Sequence, residues 1–127
     1  MDVNINRAQE GLRVCEDIIR FVLNNYYIYR KIKNLRHRLH TLIEKLPQKR
    51  IEFIKERQDE DFGQKSIRHE LKRDNCQDIL FANLQRSKES LRVLEEFSKL
   101  IDRNLSEEFK SLRYETYRIE KKIALRL

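Results

Sequence analysis

The chain has 127 residues, with 28 Lys and Arg against 21 Asp and Glu, a net charge of +7, 39% hydrophobic residues, two glycines and one proline. At this length folding hides roughly two thirds of the surface an unfolded chain exposes, so a single domain with its own core is expected. Glycine-rich phosphate loops and tight β-hairpins both draw on glycine, so its scarcity argues against Rossmann folds, P-loops, barrels and sandwiches, and for helices joined by few turns.

The first predicted element runs from about Val3 to Asn24 and places Ile5, Ala8, Leu12, Cys15, Ile19 and Val22 at alternating spacings of three and four, the apolar seam of a bundle helix. A second stripe, Gly11, Val14, Ile18 and Phe21, lies beside it and predicts packing against two neighbours. The next helix, about Tyr27 to Leu46, carries Ile28, Ile32, Leu35, Leu39, Leu42 and Ile43 and halts near Pro47. Ile51 to Glu56 suggests a further helical turn or two, and Arg57 to Gly63 breaks the pattern as a loop. A third helix, about Gln77 to Ile101, and a fourth, about Glu107 to Leu125 with Ser106 as its N-cap, complete the chain.

The third helix repeats the first. Glu10-Gly11-Leu12-Arg13-Val14-Cys15-Glu16-Asp17 returns 79 residues later as Glu89-Ser90-Leu91-Arg92-Val93-Leu94-Glu95-Glu96, with Asn4 and Arg7 returning as Asn83 and Arg86. The fourth repeats the second, Lys33-Asn34-Leu35-Arg36 returning 77 residues later as Lys110-Ser111-Leu112-Arg113. The expected fold is all-α: one domain over 1–127, a four-helix bundle of two repeated hairpins, about 3–46 and 77–126, related by a pseudo-two-fold axis and linked through 47–76.

Between Arg30 and Arg73 stand 14 basic and 7 acidic residues, so the middle of the chain carries the charge excess. That suits a phosphorylated or polyanionic partner, or a merely solvated helix face. Cys15 and Cys76 lack metal or redox spacing, no apolar run exceeds four residues, and a reduced cytoplasmic protein with neither signal peptide nor membrane span is expected. His37, His40 and His69 show no metal-ligand spacing.

Each copy of the repeat begins a stripe with Asn and Arg and continues it with apolar residues, so Arg7 and Arg86 are expected to face a polar pocket near one end of the bundle, with Gly11 or Ser90 leaving room for a ligand. The alternative is a capping Asn and an Arg that snorkels to solvent. Glu10, Arg13, Glu16 and Asp17, with Glu89, Arg92, Glu95 and Glu96, form either intrahelical ion pairs or a phosphate and magnesium site. Asp59, Glu60 and Asp61 in the loop are further magnesium candidates.

Nearly end to end, these words resemble the all-helical hydroxymethylpyrimidine-phosphate kinase domain of thiamine biosynthesis, which elsewhere is fused to the N-terminus of thiamine-phosphate synthase. The matching words are Asp2 to Val14 with Glu16-Asp17, then Leu35-Arg36-His37, Ala82-Asn83 with Arg86 and Glu89, Leu91 to Phe97, and Leu112-Arg113-Tyr114 with Tyr117 and Glu120-Lys121. The middle departs from the family pattern, which has an Arg-Asp stretch leading to Asp-Val-Gly where this chain has Arg57-Gln58-Asp59 and Asp61-Phe62-Gly63.

The resemblance implies transfer of the γ-phosphoryl group of ATP to hydroxymethylpyrimidine phosphate, with Mg2+ on the nucleotide. A phosphomonoester is mostly dianionic at neutral pH, so the reaction calls for positive charge and in-line positioning more than for a strong base. Under this resemblance Arg7, Arg13, Arg86 and Arg92 are the catalytic cations, and Asn4, Asn6, Asn83, Arg57 and Arg113 bind substrate. Glu10 and Glu89, or Asp59 and Asp61, hold magnesium. The implied partners are the phosphorylated pyrimidine, ATP and thiamine-phosphate synthase, with no nucleic acid or membrane; homo-oligomerisation is left open. The competing readings are a non-catalytic domain that binds ligand or the synthase, and a basic nucleic-acid binder.

Overall fold

The structure, a computed structural model, describes residues 2–47 and 75–126, and all its regular elements among these are helical. Helix α1 spans Asp2–Ile18 and continues as a π-helical turn, Ile19–Leu23; α2 spans Tyr26–Glu44, α3 Cys76–Ser98 and α4 Arg103–Arg126. The ends follow from local chemistry. Asn24 takes the left-handed conformation at φ 52°, which Asn tolerates better than most residues, and ends the π turn. Asn25 caps α2 by accepting from the Ile28 N–H at 3.0 Å, and Asn75 caps α3 by accepting from the Asp78 N–H at 2.9 Å.

One expected cap is displaced. Helix α4 begins at Arg103, not after Ser106, and the Asp102 carboxylate accepts from the Asn104 N–H at 2.9 Å. Ser106 lies inside the helix, buried, its hydroxyl donating to the Glu95 carbonyl at 2.7 Å. Asp102 is an equally good cap four residues earlier, and tertiary contact with α3 claims the serine.

Helix α1 packs on α3 and α2, and α4 packs on α3 and α2, so the four helices form a ring in the order α1, α3, α4, α2. The core follows the first of the two predicted stripes as far as Ile19, and Val22 beyond it is 55% exposed: Ile5, Ala8, Leu12, Cys15 and Ile19 from α1 and its π turn meet Leu80, Leu84, Leu91 and Leu94 from α3. Ile32, Leu35 and Leu39 from α2 and Phe109, Leu112 and Ile119 from α4 close the other side. Each Leu, Ile or Phe among these contributes roughly 1.5–3 kcal/mol through removal from water. The second stripe is not core: Gly11 is buried, Val14 and Ile18 are half-buried, and Phe21 is 69% exposed.

Helices α1 and α3 run antiparallel and close together. The Ser87 hydroxyl donates to the Ala8 carbonyl at 3.4 Å, while Cys15, two turns on, donates its thiol to the Leu80 carbonyl at 3.6 Å, two turns back. A Cβ on Gly11 would stand 2.3 Å from the Ser87 hydroxyl and 3.0 Å from the Asn83 carbonyl oxygen. Glycine is required at the crossing because the partner helix fills the space; it leaves no room for a ligand. Both cysteines are free thiols, Cys15 buried and Cys76 exposed.

Candidate functional site

Each hairpin is tied by a carboxylate and a guanidinium at equivalent places in the repeat. In the first, Arg36 on α2 donates through Nε to Glu16 Oε2 at 2.5 Å and through Nη2 to Oε1 at 3.3 Å. In the second, Arg113 on α4 donates through Nη2 to both Glu95 oxygens, at 3.2 and 3.3 Å. Glu16 and Glu95 are both buried, and an unpaired carboxylate there would be costly, so each pair belongs to the frame of its hairpin. Burial alone would lower the Arg113 pKa; the Glu95 carboxylate outweighs it and holds the guanidinium above its ordinary value. Arg113 Nε is buried without a hydrogen-bond partner among the described residues, whereas Arg36 Nε is satisfied.

Above each pair opens a cleft. The α1/α2 cleft, about 490 Å³, is lined by Gln9, Glu10, Arg13, Arg36, His37 and His40. The α3/α4 cleft, about 360 Å³, is lined by Gln85, Lys88, Glu89, Arg92, Arg113 and Tyr117. Five positions correspond through the repeat offsets: Gln9 with Lys88, Glu10 with Glu89, Arg13 with Arg92, Arg36 with Arg113 and His40 with Tyr117.

Their electrostatics differ. In the α3/α4 cleft the Lys88 ammonium pairs with Glu120 at 2.8 Å and lies 4.5 Å from the centre of the Tyr117 ring. Arg92 pairs with both Glu95 and Glu96, and Arg113 with Glu95, so all three cations are neutralised within the protein. In the α1/α2 cleft Arg36 is neutralised by Glu16 and His40 bonds Glu44 at 3.0 Å, but Arg13 has no ion pair among the described residues. One cleft therefore offers an exposed, uncommitted guanidinium beside a fixed one, with two imidazoles at its rim.

Of the expected site residues, Arg13, Arg92, Arg113, Glu10 and Glu89 line the two clefts. Arg7 and Arg86 do not: both are exposed and line neither cleft, because α1 and α3 approach at Ala8, Gly11 and Ser87 too closely to enclose a polar pocket between them. Asn4, Asn6 and Asn83 are half-buried, and the Asn83 amide donates to the Ile79 carbonyl at 2.8 Å. The Glu89 carboxylate accepts from Gln85 at 2.9 Å. Among the described residues no group of three or more His, Cys, Asp or Glu could hold a metal, and no helix is long and apolar enough to cross a membrane. Arg57, Asp59 and Asp61, the remaining candidates, lie outside the described residues.

Gln9, Arg36, His37, His40, Lys88 and Tyr117 also line the clefts, although the sequence assigns none of them a site role; Gln9, Arg36, His37 and Tyr117 stand only as letters of the matching words. A signal for most of them exists in the 77-residue offset, which sets His37 against Tyr114, directly after the repeated Arg, and His40 against Tyr117, one turn beyond it.

Compared with known proteins, residues 1–122 match the ThiD2 family. The chain is 38% identical over 123 residues to a thiamine-phosphate synthase of Prochlorococcus marinus subsp. pastoris, covering 94% of this chain and 33% of that protein. It is 38% identical over 130 residues to the thiamine-phosphate synthase of Thermosynechococcus vestitus, covering 98% and 34%. To that of Nostoc punctiforme it is 34% identical over 120 residues, covering 94% and 33%. The chain thus spans about a third of the length of these curated relatives. No solved structure matches it significantly.

Proposed function

Since the chain belongs to the ThiD2 family, we propose that it serves thiamine biosynthesis as a phosphotransferase, converting hydroxymethylpyrimidine phosphate to the diphosphate with ATP, and that the α1/α2 cleft holds the acceptor. The observation that carries the placement is Arg13, a cleft guanidinium with no ion pair among the described residues, next to Arg36 held rigid by Glu16. An acceptor phosphate is a dianion over most of the neutral range, and one of its oxygens attacks the γ-phosphorus as the bond to the ADP oxygen breaks in line. The protein's task is to let two anions meet. Arg13 and Arg36 supply the charge, and Gln9 offers an amide that both donates and accepts, suited to a pyrimidine edge.

Magnesium arriving with the nucleotide needs only one or two protein carboxylates, and exposed Glu10 in this cleft fits that demand. Bound there it would offset charge on the transferring phosphoryl group. We assign the two hairpins to a two-fold relation, which the bond between repeat partners Ser87 and Ala8 supports.

A second reading, a non-catalytic ligand-binding domain, is favoured by the length of the relatives, which are synthases three times as long. The test is ATP-dependent phosphorylation by the purified chain with magnesium, hydroxymethylpyrimidine phosphate and the unphosphorylated alcohol being compared. Diphosphate from the monophosphate alone supports the kinase; tight monophosphate binding without product supports the binding domain.

A further inference from the structure

A third cleft opens at the far end of the same hairpin. It has a volume of about 440 Å³ and is lined by Arg20, Phe21, Asn24, Asn25, Tyr26 and Tyr29, within the size range of small-molecule sites. Its wall is the π-helical turn and left-handed Asn24, and single π turns often mark functional sites. Two of its aromatic rings are left in solvent, Phe21 at 69% and Tyr26 at 70% exposure.

Cations stand around these rings. The Arg20 guanidinium lies 4.8 Å from the centre of Phe21 and 5.7 Å from that of Tyr29, Arg30 lies 5.9 Å from Tyr26, and Lys33 lies 5.8 Å from Tyr29. None of the three cations is in an ion pair among the described residues.

Position adds a direction. Arg20, in the π turn that continues α1, is seven residues beyond Arg13, and Tyr29 is seven before Arg36 on antiparallel α2, so the two clefts lie on one seam roughly 10 Å apart along the helix axes. The second hairpin lacks this arrangement: Tyr26 and Tyr29 correspond to Arg103 and to Ser106, which is buried against Glu95, Arg30 corresponds to Glu107, and Arg20 to Lys99, already paired with Glu96 at 2.9 Å.

We propose that the Arg20–Tyr29 cleft binds a nucleoside polyphosphate, its base on Tyr26 and Phe21 and its phosphates running past Lys33 and Arg20 toward Arg13. Flat rings stack a base, the Asn24 and Asn25 amides can meet its edge, and uncommitted cations take the phosphates. The proposal rests on the kinase reading only for the reaction that the nucleotide enters. A cleft of about 440 Å³ suits one nucleotide better than a strand, although Tyr27 with Lys31, Lys122 and Arg126 continues the basic surface around α2. Single-stranded RNA is therefore the competitor to exclude.

Calorimetric titration of the full chain with a non-hydrolysable ATP analogue, inorganic tripolyphosphate and a short single-stranded RNA tests this. The analogue binds the wild type more tightly than tripolyphosphate does, and Tyr26→Ala and Arg20→Ala each weaken it by about tenfold or more, the loss expected of a stacking partner. Lys99→Ala, the equivalent in the second hairpin, leaves it within about twofold, an exposed lysine paired on its own helix being of little consequence. Tyr26 and Arg20 are exposed, so both variants fold, and circular dichroism checks this. Absence of analogue binding, unchanged affinity in both variants, or tighter RNA binding that both variants lose would overturn the proposal. Nucleotide binding without turnover retires the kinase and keeps the site; turnover with wild-type KM for ATP in both variants does the reverse.

Discussion

The two hairpins share a frame and differ in what they leave uncommitted. Glu16–Arg36 and Glu95–Arg113 sit at the same repeat positions and do the same work, joining two helices beneath a cleft. Above them the second hairpin consumes its cations internally, Arg92 on Glu95 and Glu96 and Lys88 on Glu120, while the first keeps Arg13 and Arg20 out of ion pairs among the described residues. The exposed side chains around each cleft bury little, so they can differ between the copies without disturbing the shared frame.

The largest expected effect separates the equivalent arginines by activity. Arg13→Ala should lower kcat/KM for phosphoryl transfer by about 10²–10³, as loss of one donor to developing charge typically does, and Arg92→Ala by less than about tenfold. Comparable losses in both would show that the clefts act alike. In stability the contrast runs through the buried carboxylates. Arg36→Met strands Glu16 and should cost about 3 kcal/mol in urea unfolding, whereas Arg113→Met leaves Arg92 on Glu95 and should cost distinctly less. Equal costs would mean that Arg92 gives Glu95 no second support.

A smaller loss, about 1–3 kcal/mol, is expected for Gly11→Ala, which forces a methyl group into the Ser87 hydroxyl and the Asn83 carbonyl; adding Ser87→Ala should recover part of it. The last effect is a slope, negligible near neutral pH. Burial chiefly pushes the Cys15 thiol up from 9.0 to about 12, so from about pH 9 upward the unfolded chain loses a proton that the folded chain keeps. Stability should therefore fall as pH rises from 9 toward 12, less steeply in Cys15→Ala. At pH 8 a thiol reagent should label exposed Cys76 and spare Cys15 until unfolding.

Much of the fold is legible along the chain because spacing of three and four alone places Ile5, Ala8, Leu12, Cys15 and Ile19 on one buried line. The site is legible only in part. Arg13, Arg92 and Arg113 stand out as repeated words, yet their repetition does not reveal that only one copy leaves its arginine unpaired. Arg7 and Arg86 repeat just as faithfully and line neither cleft, since a stripe shared by Asn, Arg and Gly reads as a pocket in one dimension and proves to be the shoulder of a tight crossing in three. The cleft at Arg20 is missed because Phe21 reads as the end of an apolar stripe and Tyr26 and Tyr29 belong to no repeated word, until the π turn carries the chain around Asn24.

By itself the sequence determined the all-helical class, the recurrence of words between its two halves and one principal apolar line in each helix, because these depend on periodicity, on glycine scarcity and on words that recur. Tertiary structure alone decided which cations remain uncommitted and where the clefts open. Pairing and exposure depend on distances between side chains of different helices, and no spacing along one strand of chain contains them.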